Sequence, residues 1–297
     1  MNVENQTFLD AINQYGGPFK KGVLNALKEF DGISIVAEEY PAGLAGDRTA
    51  IDIVAVIEHG NCICYLTIEC KRALAPFKKW VFFTETATKS FKVGRGISGT
   101  TSISAGSHWA WLPDINMCSD ACEVKEDANG KLLKASPDPI YKAATQASLG
   151  YLSFLQERTP DAPPPKTDFS PRDMVVIPLI VTTAELLLSD EDGSGVNMDT
   201  GLCDLKAPAS VPWVGYRFPC HPTTNDRAID SRIINPTASY TAACIGIDST
   251  MADSYKETIF VVQANQLKAF VNGPLFVILN HIMKFMTAKR KEAQPCS

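Results

Sequence analysis

Two short apolar runs on either side of a turn signal form the clearest pattern in the chain. Residues 51–57 and 62–68 are rich in isoleucine, valine and cysteine, and Gly60 and Asn61 lie between them. β-Branched runs of this length around a Gly-Asn pair predict a β-hairpin. We therefore expect the two runs to be antiparallel neighbours in a sheet.

The turn also predicts the register of this hairpin. If Gly60 and Asn61 are the two turn residues, His59 faces Cys62, and Asp52 then lies opposite Glu69. Directly opposed residues share one face of a sheet, with Cβ atoms about 5 Å apart. Lys71 lies two residues beyond Glu69, so the alternation of a strand places it on the same face.

The rest of the chain predicts a mixture of helices and strands. Apolar residues near helical spacing predict helices over 5–30, 139–157 and 265–288, with breaks at 16–18 in the first and 273–274 in the last. Apolar runs predict further strands over 33–38, 173–182 and 258–263. Pro178 favours an edge or a bulge for the second of these strands, because proline cannot donate to a sheet ladder.

The segments between these elements are interpreted as loops. They comprise 41–48, a Gly-rich loop over 94–99, an irregular insertion or lid over 98–138, a Pro-rich linker over 159–171, an acidic loop over 189–199, and an irregular stretch over 201–255 with room for extra strands. The order helix, three strands, helix, two strands, helix predicts an α/β/α sandwich with a central mixed sheet. We expect one domain over 1–297, with large insertions at 98–138 and 189–257.

Charge occurs in the hairpin runs at the ends far from the turn. A charged group at the end of a buried strand is costly unless it is paired or binds a metal. Two opposed carboxylates, Asp52 and Glu69, favour a cation between them, and Mg²⁺ prefers one or two carboxylates, a carbonyl and water. The Cys70 carbonyl is a candidate for the further oxygen, and Lys71 for holding the attacking water.

This constellation resembles the PD-(D/E)xK superfamily, the restriction-endonuclease-like nucleases. The superfamily pattern has Asp at the start of one strand and (Asp/Glu)-x-Lys near the end of the next, here Asp52, Glu69 and Lys71. The proline that precedes the Asp is absent, since Ile51 occupies that position. The resemblance implies a restriction-endonuclease-like fold and Mg²⁺- or Mn²⁺-dependent hydrolysis of phosphodiester bonds, with metal held by Asp52, Glu69 and the Cys70 carbonyl.

An acidic residue, any residue and then Lys also arises by chance. Two further examples, 123–125 and 204–206, lie in polar stretches in which we predict no strand. Only Glu69-Cys70-Lys71 ends an apolar strand whose partner begins with Asp. The alternative interpretation is a surface cluster of salt bridges at the hairpin ends, which would contribute little stability.

The resemblance also implies secondary candidates for the site. An acidic residue upstream is often added, and Glu38 and Glu39 close the first predicted strand, with Glu39 preferred. Glu29 on the first helix is a rival for that role. Gln146 on the middle helix is a further candidate, although Gly150 stands where RecB-like relatives have Tyr, and His59 is interpreted as a turn residue.

The basic residues cluster directly after the proposed site. The chain has a formal net charge of −5, yet the segment 71–95 carries seven basic residues and one acid, Glu85. The basic residues are Lys71, Arg72, Lys78, Lys79, Lys89, Lys92 and Arg95. Contact with a phosphate backbone needs this kind of charge, so these residues are candidates for nucleic-acid binding. A solvated amphipathic element is the alternative.

Composition narrows the class of protein. Hydrophobic residues make up 45% of the chain and charged residues 21%, which is ordinary for a soluble globular protein. The start of the chain is polar, so we expect no signal peptide, no membrane association and a cytoplasmic location. The nine cysteines do not suggest a disulfide framework. A zinc site with Cys118, Cys122, His108 and His221 is a minor alternative, and the Gly-x-Gly-x-x-Gly at 94–99 follows no convincing strand.

Three functional hypotheses follow. The first is a Mg²⁺-dependent DNA endonuclease in which Asp52 and Glu69 bind metal and Lys71 orients the nucleophilic water; RNA is the alternative substrate, and homodimerisation would suit the cutting of two strands. The second is a non-catalytic nucleic-acid-binding or assembly protein that retains the nuclease fold. The third is a protein-interaction module with an accidental motif.

Overall fold

The computed structural model is an α/β protein with one large mixed sheet and few helices. The structure describes residues 16–44, 47–60, 62–74, 78–85, 91–99, 103–110, 115–126, 129, 131–158, 173–190, 196–203, 206–219 and 256–293. The linker at 159–171, the segment 220–255 and residues 5–15 of the first predicted helix lie outside these ranges.

The described part of the chain holds these elements. The helices are α1 (Gly17–Lys28), α2 (Asp138–Arg158), α3 (Leu267–Phe270) and α4 (Phe276–Ala293), with a 3₁₀-helix at Ala264–Gln266 and a short π-helix at Val271–Leu275 between α3 and α4. The strands are β1 (Ile33–Leu44), β2 (Asp47–His59), β3 (Cys62–Lys71), β4 (Lys79–Thr84), β5 (Phe91–Gly99), β6 (Ile103–Ala110), β7 (Met117–Glu126), β8 (Leu132–Ser136), β9 (Asp173–Thr182), β10 (Glu185–Ser189), β11 (Ala209–Val211), β12 (Trp213–Pro219) and β13 (Lys256–Gln263).

The strands join in the spatial order β1-β2-β3-β9-β13-β12-β7-β4-β10-β11. The first three strands are antiparallel, and β9 and then β13 continue the sheet in parallel with β3. β5 pairs with the first half of β9 and with β6, and β8 pairs with β7. The sheet is therefore mixed, as the sequence predicts.

The predicted hairpin and its register are confirmed from Ile53 to His59. His59 pairs with Cys62 and Ile53 pairs with Ile68, so paired positions follow the predicted relation. Gly60 has a φ of +59°, which a turn residue without a Cβ adopts without strain. The register predicted from a two-residue Gly-Asn turn thus agrees with the observed pairing.

Helices pack on both faces of the β1–β3 region. Ile53 and Ala55 of β2 belong to a core with Val23, Leu24 and Leu27 of α1 and with apolar residues of α3 and α4. Val54, on the opposite face by strand alternation, belongs to a core with α2 residues such as Phe154. α1 and α2 therefore lie on opposite faces of the strands that carry the predicted site.

Gly150 allows α2 to approach β2 beside Asp52. A Cβ at this position would lie 2.7 Å from the Ile51 Cγ1 atom, closer than packed carbon atoms tolerate. The neighbouring Ile51 is buried in the core beneath α2. Packing against Ile51 thus explains why Gly150 occupies the position where RecB-like relatives have Tyr.

The prediction of a loop over 41–48 was wrong. β1 continues to Leu44 and pairs with β2 as far as Asp47. Pro41 is accommodated because β1 lies at one end of the sheet order, where an outward-facing N–H is not needed for a ladder. The loop signal of Pro and Gly residues was overridden by pairing with the long second strand.

The predictions of irregular structure over 98–138 and of a loop over 94–99 were also wrong. β5 contains the whole Gly-rich segment and pairs with β6 and β9, while β7 joins the main sheet between β12 and β4. Apolar residues are sparse in these strands, because several sequence neighbours such as Ser119 and Asp120 face solvent. The division of the chain into one domain with insertions remains a prediction.

Pro178 does not mark an edge or a bulge. β9 pairs with β3 along its whole length, and on its other side β5 covers Met174 to Val176 while β13 covers Leu179 to Thr182. Pro178 lies between these two neighbours, at a point where no ladder hydrogen bond is required on that side. The sheet therefore tolerates the missing N–H of Pro178, because it lies where the neighbour of β9 changes from β5 to β13.

The remaining predicted elements largely match the structure. α2, β9 and β13 cover the predicted helix and strands, and β11 and β12 are extra strands within 201–255. β10 was not predicted. The final helix is interrupted around Pro274 by a short π-helix, as expected where a proline removes a backbone donor. None of the helices in the described ranges has the length and apolar character needed to cross a bilayer.

Candidate active site

The ladder between β2 and β3 ends at the pair Ile53 and Ile68, one residue short of the candidate carboxylates. Beyond this point the Cys70 N–H donates to the Asp52 Oδ2 atom at 2.8 Å. The predicted direct opposition of Asp52 and Glu69 is therefore replaced by a side-chain bond across the two strands. The Asp52 carboxylate takes the position that a backbone carbonyl would have in a longer ladder.

The same geometry directs the Cys70 carbonyl toward β2. The Thr183 N–H donates to the Lys71 carbonyl at 3.2 Å, so the backbone groups of Lys71 face β9. Backbone groups of successive strand residues face opposite neighbours, so the Cys70 N–H and C=O both face β2. A carboxylate and a backbone carbonyl thus border one gap between the strands.

Glu69 is buried and pairs with Lys71 on the same strand. The Glu69 Oε1 atom lies 2.7 Å from the Lys71 Nζ atom, and the Glu69 side chain is 7% exposed. Burial raises the pKa of Glu69 to about 7; the charge of Lys71 opposes this shift and the charge of Asp52 adds to it. The predicted placement of Asp52, Glu69 and Lys71 in one neighbourhood is what the structure shows.

Lys71 also reaches the helix on its side of the sheet. Its Nζ donates to the Gln146 Oε1 atom of α2 at 2.6 Å. An ammonium group has three N–H donors, and these two contacts use two of them. The contacts hold the Lys71 head at the end of β3, and within the described ranges they leave a third N–H for a water molecule or a phosphate oxygen.

A second lysine reaches the site from the other face of the sheet. Lys20 of α1 forms an ion pair with Glu39 of β1, and its Nζ lies 3.9 Å from the Asp52 Oδ1 atom. Glu39 has a φ of +52°, an uncommon and strained conformation for a residue with a side chain. The structure therefore brings Glu39, rather than Glu38, to the neighbourhood of Asp52.

Lys20 was not predicted, although the sequence carries a signal for it. Lys20 precedes Val23, Leu24 and Leu27 by three, four and seven residues, so it occupies the apolar stripe of α1. A lysine on such a stripe buries its stem and extends its ammonium group to the edge of the core. Here that edge lies beside Asp52, which is the sixth residue of β2 rather than its first, because β2 begins at Asp47.

The donors at the strand ends suit a hard divalent cation. Two carboxylates, a backbone carbonyl and water are an ordinary coordination shell for Mg²⁺. Among the described residues no three His, Cys, Asp or Glu side chains are grouped closely enough to hold a metal by themselves. Asp52, Glu69 and the Cys70 carbonyl would therefore hold the ion together with water, and the ion would add to the positive charge that Lys71 already places beside the buried Glu69 carboxylate.

Two of the weaker candidates are distant from this site. Glu29 follows the C-terminus of α1, nine residues or about 14 Å along the helix from Lys20. His59 lies at the turn end of the hairpin, where its Nε2 atom is 3.0 Å from the Asn280 Oδ1 atom and its ring packs on Phe276. His59 is the last residue of β2, paired with Cys62 directly before the turn, rather than a turn residue itself.

The basic residues after β3 are only partly described. Arg72 is half-buried, and its Nη1 atom is buried without a hydrogen-bond partner in the described part of the chain. Lys78 is exposed and Lys79 begins β4. Lys89 lies outside the described residues, and Lys92 and Arg95 belong to β5. Binding of nucleic acid by these six residues stays a prediction.

The motif at 123–125 has a different environment. It lies within β7, so the prediction that no strand contains it was wrong. The Trp80 Nε1 atom donates to the Glu123 Oε1 atom at 3.0 Å, and burial raises the pKa of Glu123. Glu123 therefore accepts a structural hydrogen bond. The motif at 204–206 lies largely outside the described residues, as does His221 of the alternative zinc site.

Comparison with known proteins gives no independent assignment: no family model, no curated protein and no solved structure matches this chain.

Proposed function

We propose that this protein is a metal-dependent nuclease that hydrolyses phosphodiester bonds, with DNA as the substrate and Mg²⁺ or Mn²⁺ as the cofactor. The observation that carries the proposal is the joining of Asp52 on β2 to Glu69-Cys70-Lys71 on β3 through the Cys70 N–H. An accidental acidic-x-Lys sequence has no reason to lie against an Asp from the neighbouring strand.

The order of elements around the site supports the same proposal. α1, the antiparallel strands β1, β2 and β3, then α2 and the parallel strand β9 occur in the order of the restriction-endonuclease-like core, with five strands between β3 and α2. α1 and α2 lie on opposite faces, as in the α/β/α sandwich that the resemblance implies. In this proposal, β4–β8 and β10–β12 extend that core.

Each residue of the site has a distinct role in the proposal. Asp52 and Glu69 bind the divalent ion together with the Cys70 carbonyl. When bound, the ion supplies positive charge that stabilises the extra negative charge on the phosphate in the transition state. Lys71 orients the attacking water with the N–H that neither Glu69 nor Gln146 uses, and Gln146 fixes the position of the Lys71 head.

A cleavage assay with a matched lysine variant tests the proposal. Wild-type protein, Lys71→Ala and Lys125→Ala are incubated with supercoiled plasmid, single-stranded DNA or single-stranded RNA, in Mg²⁺, Mn²⁺ or EDTA. Lys125 belongs to the acidic-x-Lys sequence of β7, away from Asp52. We expect metal-dependent DNA cleavage by wild type and Lys125→Ala, and a loss of at least about 100-fold in Lys71→Ala without unfolding.

Three outcomes would contradict this proposal in different ways. Equal cleavage by Lys71→Ala would remove the site from the reaction. DNA binding in EDTA with no cleavage in any metal would favour the non-catalytic nucleic-acid-binding protein. Neither binding nor cleavage of DNA or RNA would favour the interaction module.

A further inference from the structure

The second lysine of the site has no counterpart in the acidic-x-Lys pattern. Lys20 enters from the α1 face, whereas Lys71 contacts Gln146 on the α2 face. The Lys20 side chain is 19% exposed, so most of it is covered by its surroundings. Its ammonium group is held beside β1 and β2 by Glu39 and lies near Asp52.

The two oxygens of Asp52 have different neighbours. Oδ2 accepts the Cys70 N–H on the β3 side, and Oδ1 faces the Lys20 ammonium group at 3.9 Å on the side of Glu39. Glu39 is bracketed by the pairs Glu38–Ile53 and Tyr40–Ile51, which place it beside Asp52 across β1 and β2. A cation thus already lies between the carboxylates of Glu39 and Asp52.

We infer that Lys20 is a positioning residue that fills a second cation position, between Glu39 and Asp52, so that the site takes one divalent ion per chain, between Asp52 and Glu69. This inference rests on the proposed metal-dependent activity. Sites for two metal ions hold them about 3.5–4 Å apart with a carboxylate between them. In this chain the Lys20 ammonium group occupies the position beside the Asp52 Oδ1 atom that a second ion would need.

The net charge of the site also favours a single divalent ion. Once Glu69 has lost its proton, as a metal ligand must, the three carboxylates and two ammonium groups carry a net charge of −1. One divalent ion brings the net charge to +1, whereas a second would bring it to +3 in a partly buried site, which Coulomb repulsion opposes. Removal of the Lys20 charge would lower both totals by one and free Glu39 and Asp52 Oδ1 as ligands.

The number of bound Mn²⁺ ions tests this inference directly. Mn²⁺ binding is measured by titration calorimetry and by the electron paramagnetic resonance of free Mn²⁺, for wild type, Lys20→Met and Lys21→Met. Lys21 is the exposed neighbour on the same helix and is the matched control. We expect one Mn²⁺ per chain in wild type and Lys21→Met, and a second, weaker Mn²⁺ in Lys20→Met that is lost again in Lys20→Met with Glu39→Gln.

The outcomes separate this inference from the proposed function. One bound Mn²⁺ per chain in both wild type and Lys20→Met would overturn the role of Lys20 and leave the metal site intact. Two bound Mn²⁺ per chain in wild type would also overturn the role of Lys20 and leave the metal site intact. No Mn²⁺ in wild type would overturn the proposed metal site and the inference with it. Lys20→Gln, which retains a polar head, replaces Lys20→Met in each comparison if the methionine variant does not fold.

Discussion

The Asp52 carboxylate accepts the N–H of Cys70 at the point where the backbone ladder between β2 and β3 ends. This single bond makes Asp52 part of the sheet rather than a free surface charge. It also fixes the distance between the strand that carries Asp52 and the strand that carries Glu69 and Lys71. The Asp52 side chain therefore contributes both to the pairing of β2 with β3 and to the proposed chemistry.

Replacement of Asp52 separates these two roles. Asp52→Asn keeps an oxygen that can accept the Cys70 N–H, whereas Asp52→Ala leaves this donor without its partner. We expect Asp52→Ala to be less stable than Asp52→Asn by about 1–2 kcal/mol in urea unfolding. Both variants should lose Mn²⁺ binding, because both remove the charge. Equal stabilities of the two variants would show that the bond to Cys70 contributes nothing.

Glu69 should make the stability of the metal-free protein depend on pH. Its pKa is raised from 4.5 to about 7, mainly by burial, so between these values the folded protein keeps a proton that the unfolded chain has lost. The free energy of unfolding should therefore fall as pH rises from about 4.5 to 7, by on the order of 3 kcal/mol. Urea unfolding in EDTA at several pH values measures this slope.

Glu69→Gln is the control for that slope, because the amide does not titrate. We expect its stability to change much less over the same pH range and to exceed that of wild type above pH 7. A wild-type slope that survives in Glu69→Gln would assign the pH dependence to other groups.

Proton binding by Glu69 should also govern metal affinity. A carboxyl group must lose its proton before it ligates a cation, so the affinity for Mg²⁺ or Mn²⁺ should fall by about tenfold per pH unit below pH 7. Calorimetric titrations with Mn²⁺ between pH 5.5 and 8 measure this dependence. An affinity that is constant over this range would exclude Glu69 as a ligand.

Gly150 and Gly22 should respond in opposite ways to alanine. A Cβ at Gly150 would meet Ile51 at 2.7 Å, whereas a Cβ at Gly22 of α1 would meet nothing within 4 Å. We expect Gly22→Ala to raise the free energy of unfolding by about 0.5–1 kcal/mol through helix propensity. Gly150→Ala should lower it by about 1–3 kcal/mol through overpacking. Stabilisation in both variants would contradict the close packing of α2 on β2.

Gln146 should affect the chemical step more than the binding of substrate. Its amide oxygen accepts from Lys71, and its side chain is otherwise exposed, so Gln146→Ala should not unfold the protein. If the nuclease proposal holds, we expect kcat to fall by about tenfold with KM little changed, because the Lys71 head loses one restraint. A change in KM alone would assign Gln146 to substrate binding instead.

The sequence by itself determined the hairpin, its register and the group of residues at its far end. A Gly-Asn turn between two β-branched runs leaves one pairing that buries both runs, so Asp52, Glu69 and Lys71 had to lie near one another. The amphipathic helix α2 and the apolar strands β9 and β13 were predictable for the same reason, since each carries a strong local pattern.

Only the tertiary structure decided the rest. The strands over 91–136 carry weak local patterns because they gain their order from neighbours distant in sequence, such as β7 between β12 and β4. The bond from Cys70 to Asp52 depends on where the ladder ends, which pairing rules alone do not state. The approach of Lys20 to Asp52 depends on how α1 packs across the sheet, so residues 32 positions apart meet through helix packing rather than through any local motif.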